Sequence, residues 1–239
     1  MKQLFLSLLL TATVCNLLAQ KTINDPNAEK RTISSSFHGI EVSTGIQLFL
    51  TEGSSEEVAV SAAKTEFRDK IITQVENGIL KIRYETKMGA INRKREDKQL
   101  RAYVSYKKLD KLDATTGVSI EINGVLSAAS LDIKSNTGGE VKGEISITAL
   151  KVKQNTGSII TLSGKAESLD VDGDTGSKFM GKGLKTTNCT AVASTGAGVT
   201  ITVDKELEAK ANTGGYIKYR GDGSIRTVKT NTGGSVSKI

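Results

Sequence analysis

Leu150-Lys151-Val152-Lys153-Gln154-Asn155-Thr156-Gly157-Ser158-Ile159-Ile160 holds the pattern that decides the fold. Apolar residues stand six and four places before Thr156 and four places after it, with mostly polar residues between. The same frame recurs around Thr116, Thr137, Thr175, Thr195, Thr213 and Thr232, each followed by Gly, and successive spacings are 21, 19, 19, 20, 18 and 19 residues. A period near 19 with no helical pattern inside it marks a solenoid in which each repeat is one coil. The expected fold is therefore all-β, a single-stranded parallel β-helix with coils of about 19 residues.

Laid over one another, the repeats form columns. Leu131, Leu150, Leu169, Cys189 and Leu207 share the position six before the Thr. Ile133, Val152, Val171, Ala191 and Ala209 share the position four before it, and Val141, Ile160, Phe179, Val199 and Ile217 the position four after. Period-two alternation sends these inward and their neighbours outward. One coil cannot bury its apolar row alone; stacked at about 4.8 Å per step, the rows merge into a core. Aromatics are only 4% of the chain, so that core must come from Val, Ile, Leu, Ala and Thr.

Each Gly of the Thr-Gly pair is expected to turn the corner, because Gly adopts positive φ at little cost. Asn136, Asn155, Asp174, Ser194, Asn212 and Asn231 precede the Thr. Their short side chains can bond turn backbone and stack as a polar ladder.

Ahead of the repeats, Met1-Lys2-Gln3, the apolar run Leu4 to Val14 and Leu17-Leu18-Ala19 read as an export signal over residues 1–19. Lipid anchoring at Cys15 is the alternative, disfavoured because Val14 is bulkier than the small residue such signals carry. Residues 20–30 form an N-terminal extension and 31–239 one elongated domain, with less regular coils and a cap over 31–107. Thr44-Gly45, flanked by Ile40 and Leu48, begins the same ladder; Asn77-Gly78 signals a hairpin, and Lys64 to Val75 a short helix or turn packed on the end.

The order of Phe37, Ile40-Glu41-Val42, Gly45-Ile46, Leu50-Thr51-Glu52-Gly53, Val75-Glu76-Asn77-Gly78, Leu80-Lys81-Ile82 and Leu100-Arg101-Ala102-Tyr103-Val104 resembles the head-GIN domain family. These are exported proteins common in Bacteroidetes, labelled auto-transporter adhesins. The resemblance spans roughly residues 31 to 225 and implies a right-handed β-helix and an adhesin-like role. It brings no catalytic signature, and no family binding residue maps onto this chain.

Chemistry-bearing residues are few. Cys189 sits in a Leu column and reads as a buried small hydrophobe, far in sequence from the one histidine, His38. Asp170, Asp172 and Asp174 alternate along one strand, but Lys151 and Lys153 fall beside the first two in the preceding coil, so ion pairing is expected there and no metal. No cofactor is expected. The net charge is +7, and the densest basic stretch, Lys87 to Arg101, offers Arg93, Lys94 and Arg95 as a contact for anionic envelope polymers, or simply a solvated loop. Nucleic acid is excluded by export, by the lack of a recognition motif and by the scarcity of aromatics. Tyr216 and Tyr219, with Lys218 and Arg220 beside them, form a second candidate contact patch or a hydrophobic cover over the last coils.

These readings point to a non-catalytic exported cell-envelope module that binds a surface glycan, an anionic polymer or another envelope protein through an extended β face. A carbohydrate-active β-helix enzyme is the alternative, opposed by acids that mostly have Lys in register and by the absence of Trp. An ice-binding solenoid ranks last, since no Thr-x-Thr rows recur. Self-association through the C-terminal coil is a further expectation.

Overall fold

The computed structural model describes residues 25–86 and 96–239. Five long strands carry the repeats: β9 (Ser119–Asn136), β10 (Glu140–Gln154), β11 (Ile159–Gly173), β12 (Lys178–Ala193) and β13 (Gly198–Ala211). The last coils are β14 (Tyr216–Arg220), β15 (Ser224–Thr230) and β16 (Ser235–Lys238). Every neighbouring pair is parallel and joined in the register that superposes one Thr-Gly on the next, as in Leu150↔Leu169 and Val152↔Val171. The solenoid expected from the repeats is the observed architecture.

Alternation along each strand is interrupted where the coil bends. In β10, Val141, Ile145, Ile147, Leu150 and Val152 are buried, and the three-residue step from Ile147 to Leu150 passes through exposed Thr148 and Ala149. β11 does the same at Glu167-Ser168, between buried Ala166 and Leu169. The inward rows of all coils form one hydrophobic cluster running from Phe37 to Tyr219.

At the Thr-Gly corner the structure adds to the expectation. Both residues, not the Gly alone, have positive φ: Thr156 at 46° and Gly157 at 68°, Thr195 at 49° and Gly196 at 74°. Two left-handed central residues define a type I′ turn. It is closed by hydrogen bonds such as Ser158 N–H to Asn155 O at 3.2 Å and Gly215 N–H to Asn212 O at 2.8 Å. Each Gly N–H then donates to the Thr carbonyl of the next coil at 3.0 Å, without a break from Gly45–Thr116 to Gly214–Thr232. The turn backbone is thus satisfied twice, within the coil and between coils. The Asn and Asp carboxamide or carboxylate oxygens accept the following Thr N–H at 2.7–2.8 Å in three coils, and Asn231 donates to Asn212 at 3.3 Å.

Unequal coil lengths become bulges at another corner. The first repeat is two residues longer than the second, and β9 takes four steps, from Glu121 to Val125, where β10 takes two. The 20-residue repeat stacked on the 18-residue one loops out Lys182, Gly183 and Leu184 of β12. Gly124, Gly164 and Gly221, at φ 83°, 100° and 104°, lie at this corner. The Thr-Gly corner keeps its register because the slack is absorbed elsewhere.

The N-terminal part stacks out of sequence order. β2 (Gly39–Ser43) and β3 (Gln47–Glu52) lie directly on β8 (Lys111–Thr115) and β9. β6 (Ile79–Tyr84) and β7 (Arg101–Tyr106) pair with the far side of β2 and β3, again in parallel. The coil at Thr44 begins the Thr-Gly ladder but lies second in the stack. Antiparallel strands then cover the end: β5 (Ile71–Glu76) on β6 through the Asn77-Gly78 turn, β4 (Glu57–Ser61) on β7, and β1 (Glu29–Arg31) on β4. The segment from Lys64 to Val75 is one helical turn, α1 (Thr65–Arg68), running into β5. Reversed pairing occupies edges that parallel stacking would leave open.

Candidate functional site

The bend between the inward rows, at Ala149 and Ser168, opens a groove of about 650 Å³ along the solenoid. Its floor is the Leu column, with Leu131, Leu150, Leu169 and Cys189, and one rim is Ser130, Ala149, Ser168 and Asn188. The opposite wall is the outward row five places before each Thr: Asp132, Lys151, Asp170, Thr190 and Glu208. Parallel register makes this wall straight, because Asp132 pairs with Lys151, Lys151 with Asp170, Asp170 with Thr190 and Thr190 with Glu208. The groove therefore crosses five coils. It is acidic within a basic protein: Asp110, Asp132, Asp170, Glu206 and Glu208 line it against Lys151 and Arg226.

Several of these groups are already engaged. His38 Nδ1 stands 2.7 Å from Asp110 Oδ1, and Arg226 Nη1 is 3.2 Å from Glu206 Oε2. The register expected for Lys151 and Lys153 beside Asp170 and Asp172 is observed, yet neither pair closes to within 4 Å. At an exposed position two long, hydrated side chains gain little by meeting. Cys189 is buried in the floor, and burial, with Asp170 nearby, pushes its thiol pKa far above the ordinary range. It packs within the core cluster alongside the Leu column. Among the described residues no group of three or more His, Cys, Asp or Glu is placed to hold a metal.

The two tyrosines expected as one patch lie on opposite faces of β14. Tyr219 points inward and is 8% exposed, whereas Tyr216 points outward, with Lys218 Nζ 5.6 Å from its ring centre. Arg220 is tied to the scaffold, donating to Thr202 Oγ1 at 2.9 Å and to the Lys182 carbonyl at 2.8 Å, where it braces the β12 bulge. Arg93, Lys94 and Arg95 lie outside the described residues. The described end of that basic stretch serves the cap: Lys98 stands 5.8 Å and 5.7 Å from the Phe67 and Tyr84 ring centres, and Arg101 3.6 Å from Asp25. Sequence reasoning missed the groove. The signal was present in the small or polar residues seven places before each Thr, Ser130, Ala149, Ser168 and Asn188, but the bend that makes them a trough depends on packing.

Fold and groove define a capped β-solenoid with a long repetitive surface. The chain belongs to the family described as "Putative auto-transporter adhesin, head GIN domain", which matches residues 36–223. Solved structures with the same fold include a protein described as a putative adhesin from Bacteroides fragilis (TM-score 0.79, 16% identity, 89% of this chain and 96% of that one). Another, described as a putative lipid binding protein from Parabacteroides distasonis, has TM-score 0.65 and 18% identity over 90% of this chain and 98% of that one. A putative adhesin from Parabacteroides merdae has TM-score 0.64 and 18% identity, covering 89% and 95%. A search of the curated proteins finds no match.

Proposed function

We propose that this chain is a non-catalytic, exported cell-envelope module that binds a surface partner along its solenoid, with the longitudinal groove as its contact. The observation that carries the reading is the straight five-coil wall from Asp132 to Glu208, a shape suited to an extended occupant rather than a compact one. Family membership supports an adhesin-like role and an exported location. Among the described residues no helix is long and apolar enough to cross a membrane. The reading also takes residues 31–239 as one elongated domain, supported by the single core cluster from Phe37 to Tyr219.

The test is binding of the chain from Gln20 onward to an array of glycans, envelope polymers and envelope proteins at two salt concentrations. It is run beside an Ala149→Trp variant that fills the exposed groove. Binding lost in the variant at unchanged melting temperature supports the reading. Binding indifferent to Ala149→Trp removes the groove from it, and shortening of any polymer during incubation removes the non-catalytic assignment.

A further inference from the structure

The groove wall carries a spacing that selects its occupant, an argument that rests on the groove being the contact. Asp110 and Glu206 are taken by His38 and Arg226. The carboxylates of Asp132, Asp170 and Glu208 have no hydrogen-bond or ion-pair partner among the described residues, and Asp132, whose Oδ1 is buried, offers a cation its other oxygen alone. They share one row, and Lys151 and Thr190 stand between them. Free acceptors thus recur at every second coil, about 9.6 Å apart for a strand spacing of about 4.8 Å.

That interval separates two extended polypeptide conformations. An extended β-strand returns a side chain to the same face after about 6.8 Å. The occupant also cannot join as an added strand, because the backbone groups of β10, β11 and β12 are already paired on both sides. A polyproline II chain has three residues per turn rising about 3.1 Å each, so every third side chain returns after about 9.3 Å. Its backbone is unbonded within itself, and the Ser130 hydroxyl and Asn188 amide on the rim can donate to its carbonyls, while the Ser168 hydroxyl already donates to the Thr148 carbonyl at 3.3 Å.

We propose that the groove binds a polypeptide segment in the polyproline II conformation with Lys or Arg at every third position. Successive cations rest on Asp132, Asp170 and Glu208. Lys151 repels a cation placed one coil out of step, so spacing is chosen by repulsion as well as attraction. No aromatic side chain is among the groove-lining residues, which removes the flat surface a sugar ring would stack on. Each exposed pair is weak alone, and engagement of three on one chain supplies the affinity.

Fluorescence anisotropy on the chain from Gln20 onward tests this with three labelled Pro-rich peptides of equal charge, carrying Lys at every second, third or fourth position. The every-third peptide is expected to bind about tenfold tighter than the others at low salt, and to weaken as salt rises. The triple variant Asp132→Asn, Asp170→Asn, Glu208→Gln, verified as folded by its melting curve, should erase the preference. Lys151→Asp, which places carboxylates on three successive coils, should flatten the preference without loss of affinity. Equal affinities for the three peptides, a preference that survives the triple variant, or no peptide binding would each overturn the proposal. If peptides fail while polymer binding is still abolished by Ala149→Trp, the occupant is wrong and the groove reading stands.

Discussion

The Tyr216 ring lies across Gly198 of the preceding coil: a β-carbon on Gly198 would fall 2.3 Å from both Cζ and Oη of the tyrosine. Tyr216 and Gly198 are directly paired in the β13–β14 register, so the ring fills the space the glycine leaves on the outer face. That is a stabilising device, an aromatic covering an otherwise bare stretch of sheet.

A double-mutant cycle should show the coupling. Gly198→Ala alone is expected to cost about 1–3 kcal/mol through overpacking, and most of that cost should vanish in a Tyr216→Ala background. Urea denaturation of the four proteins checks it; additive effects would mean the ring is free to swing away. Tyr219→Ala, which opens a cavity in the core, should cost about 3 kcal/mol or more in the same assay.

Thr156 holds a β-branched side chain at φ 46°, where L residues are strained and Asn is tolerated. Thr156→Asn should therefore stabilise the protein by about 0.5–1 kcal/mol, while Gly157→Ala, at φ 68°, should destabilise it by about 1 kcal/mol or more. Opposite shifts in melting temperature are the expected result. A destabilised Thr156→Asn would show that the Thr side chain contributes more than its backbone strain costs.

Asp174 has its pKa lowered, first by the Thr195 hydroxyl and then by the Thr175 N–H, both of which bind the carboxylate form. Its contribution to stability is fully present above the unfolded value of about 3.9 and is lost as pH falls through the lowered folded value. Asp174→Asn keeps the acceptor used at Asn136 and Asn155 but does not titrate. The variant should lose less stability than the parent between about pH 5 and pH 2, read from denaturation midpoints. Parallel profiles would exclude this turn as an acid-sensitive element.

Gln154 is buried inside the Thr-Gly corner with neither amide atom hydrogen-bonded, its nitrogen close to the space left by Gly173 in the next coil. A buried amide without partners costs about 1–3 kcal/mol. Gln154→Met, of similar length and without that polar demand, should raise the unfolding free energy by about 1 kcal/mol. Hydrogen exchange in the flanking turns would then slow, and a loss of stability would mean the amide is satisfied in solution.

Much of this architecture was legible in the chain because a solenoid repeats one local decision. The Thr-Gly spacing predicted the coil, and the columns through Leu150, Val152 and Ile160 predicted its inward rows. Even the departures from 19 residues carried information, since each one appears as a bulge between known strands. The positive φ of the Thr was not legible, because propensity argues against it. It follows from the cooperative demand that every coil close the same turn while donating to the next.

What the residues determined alone is therefore the periodic part: parallel strands, inward rows and corner chemistry, all set by side-chain alternation and by neighbours one period away. Tertiary structure decided what depends on distant segments or on a bend. It placed the coil of β6 and β7 outside that of β2 and β3 and closed it with antiparallel strands. It turned Tyr216 and Tyr219 to opposite faces, and it opened the groove beside Asp132, Lys151 and Asp170. Those outcomes arise from the three-dimensional competition for buried surface and paired backbone, which no single repeat can encode.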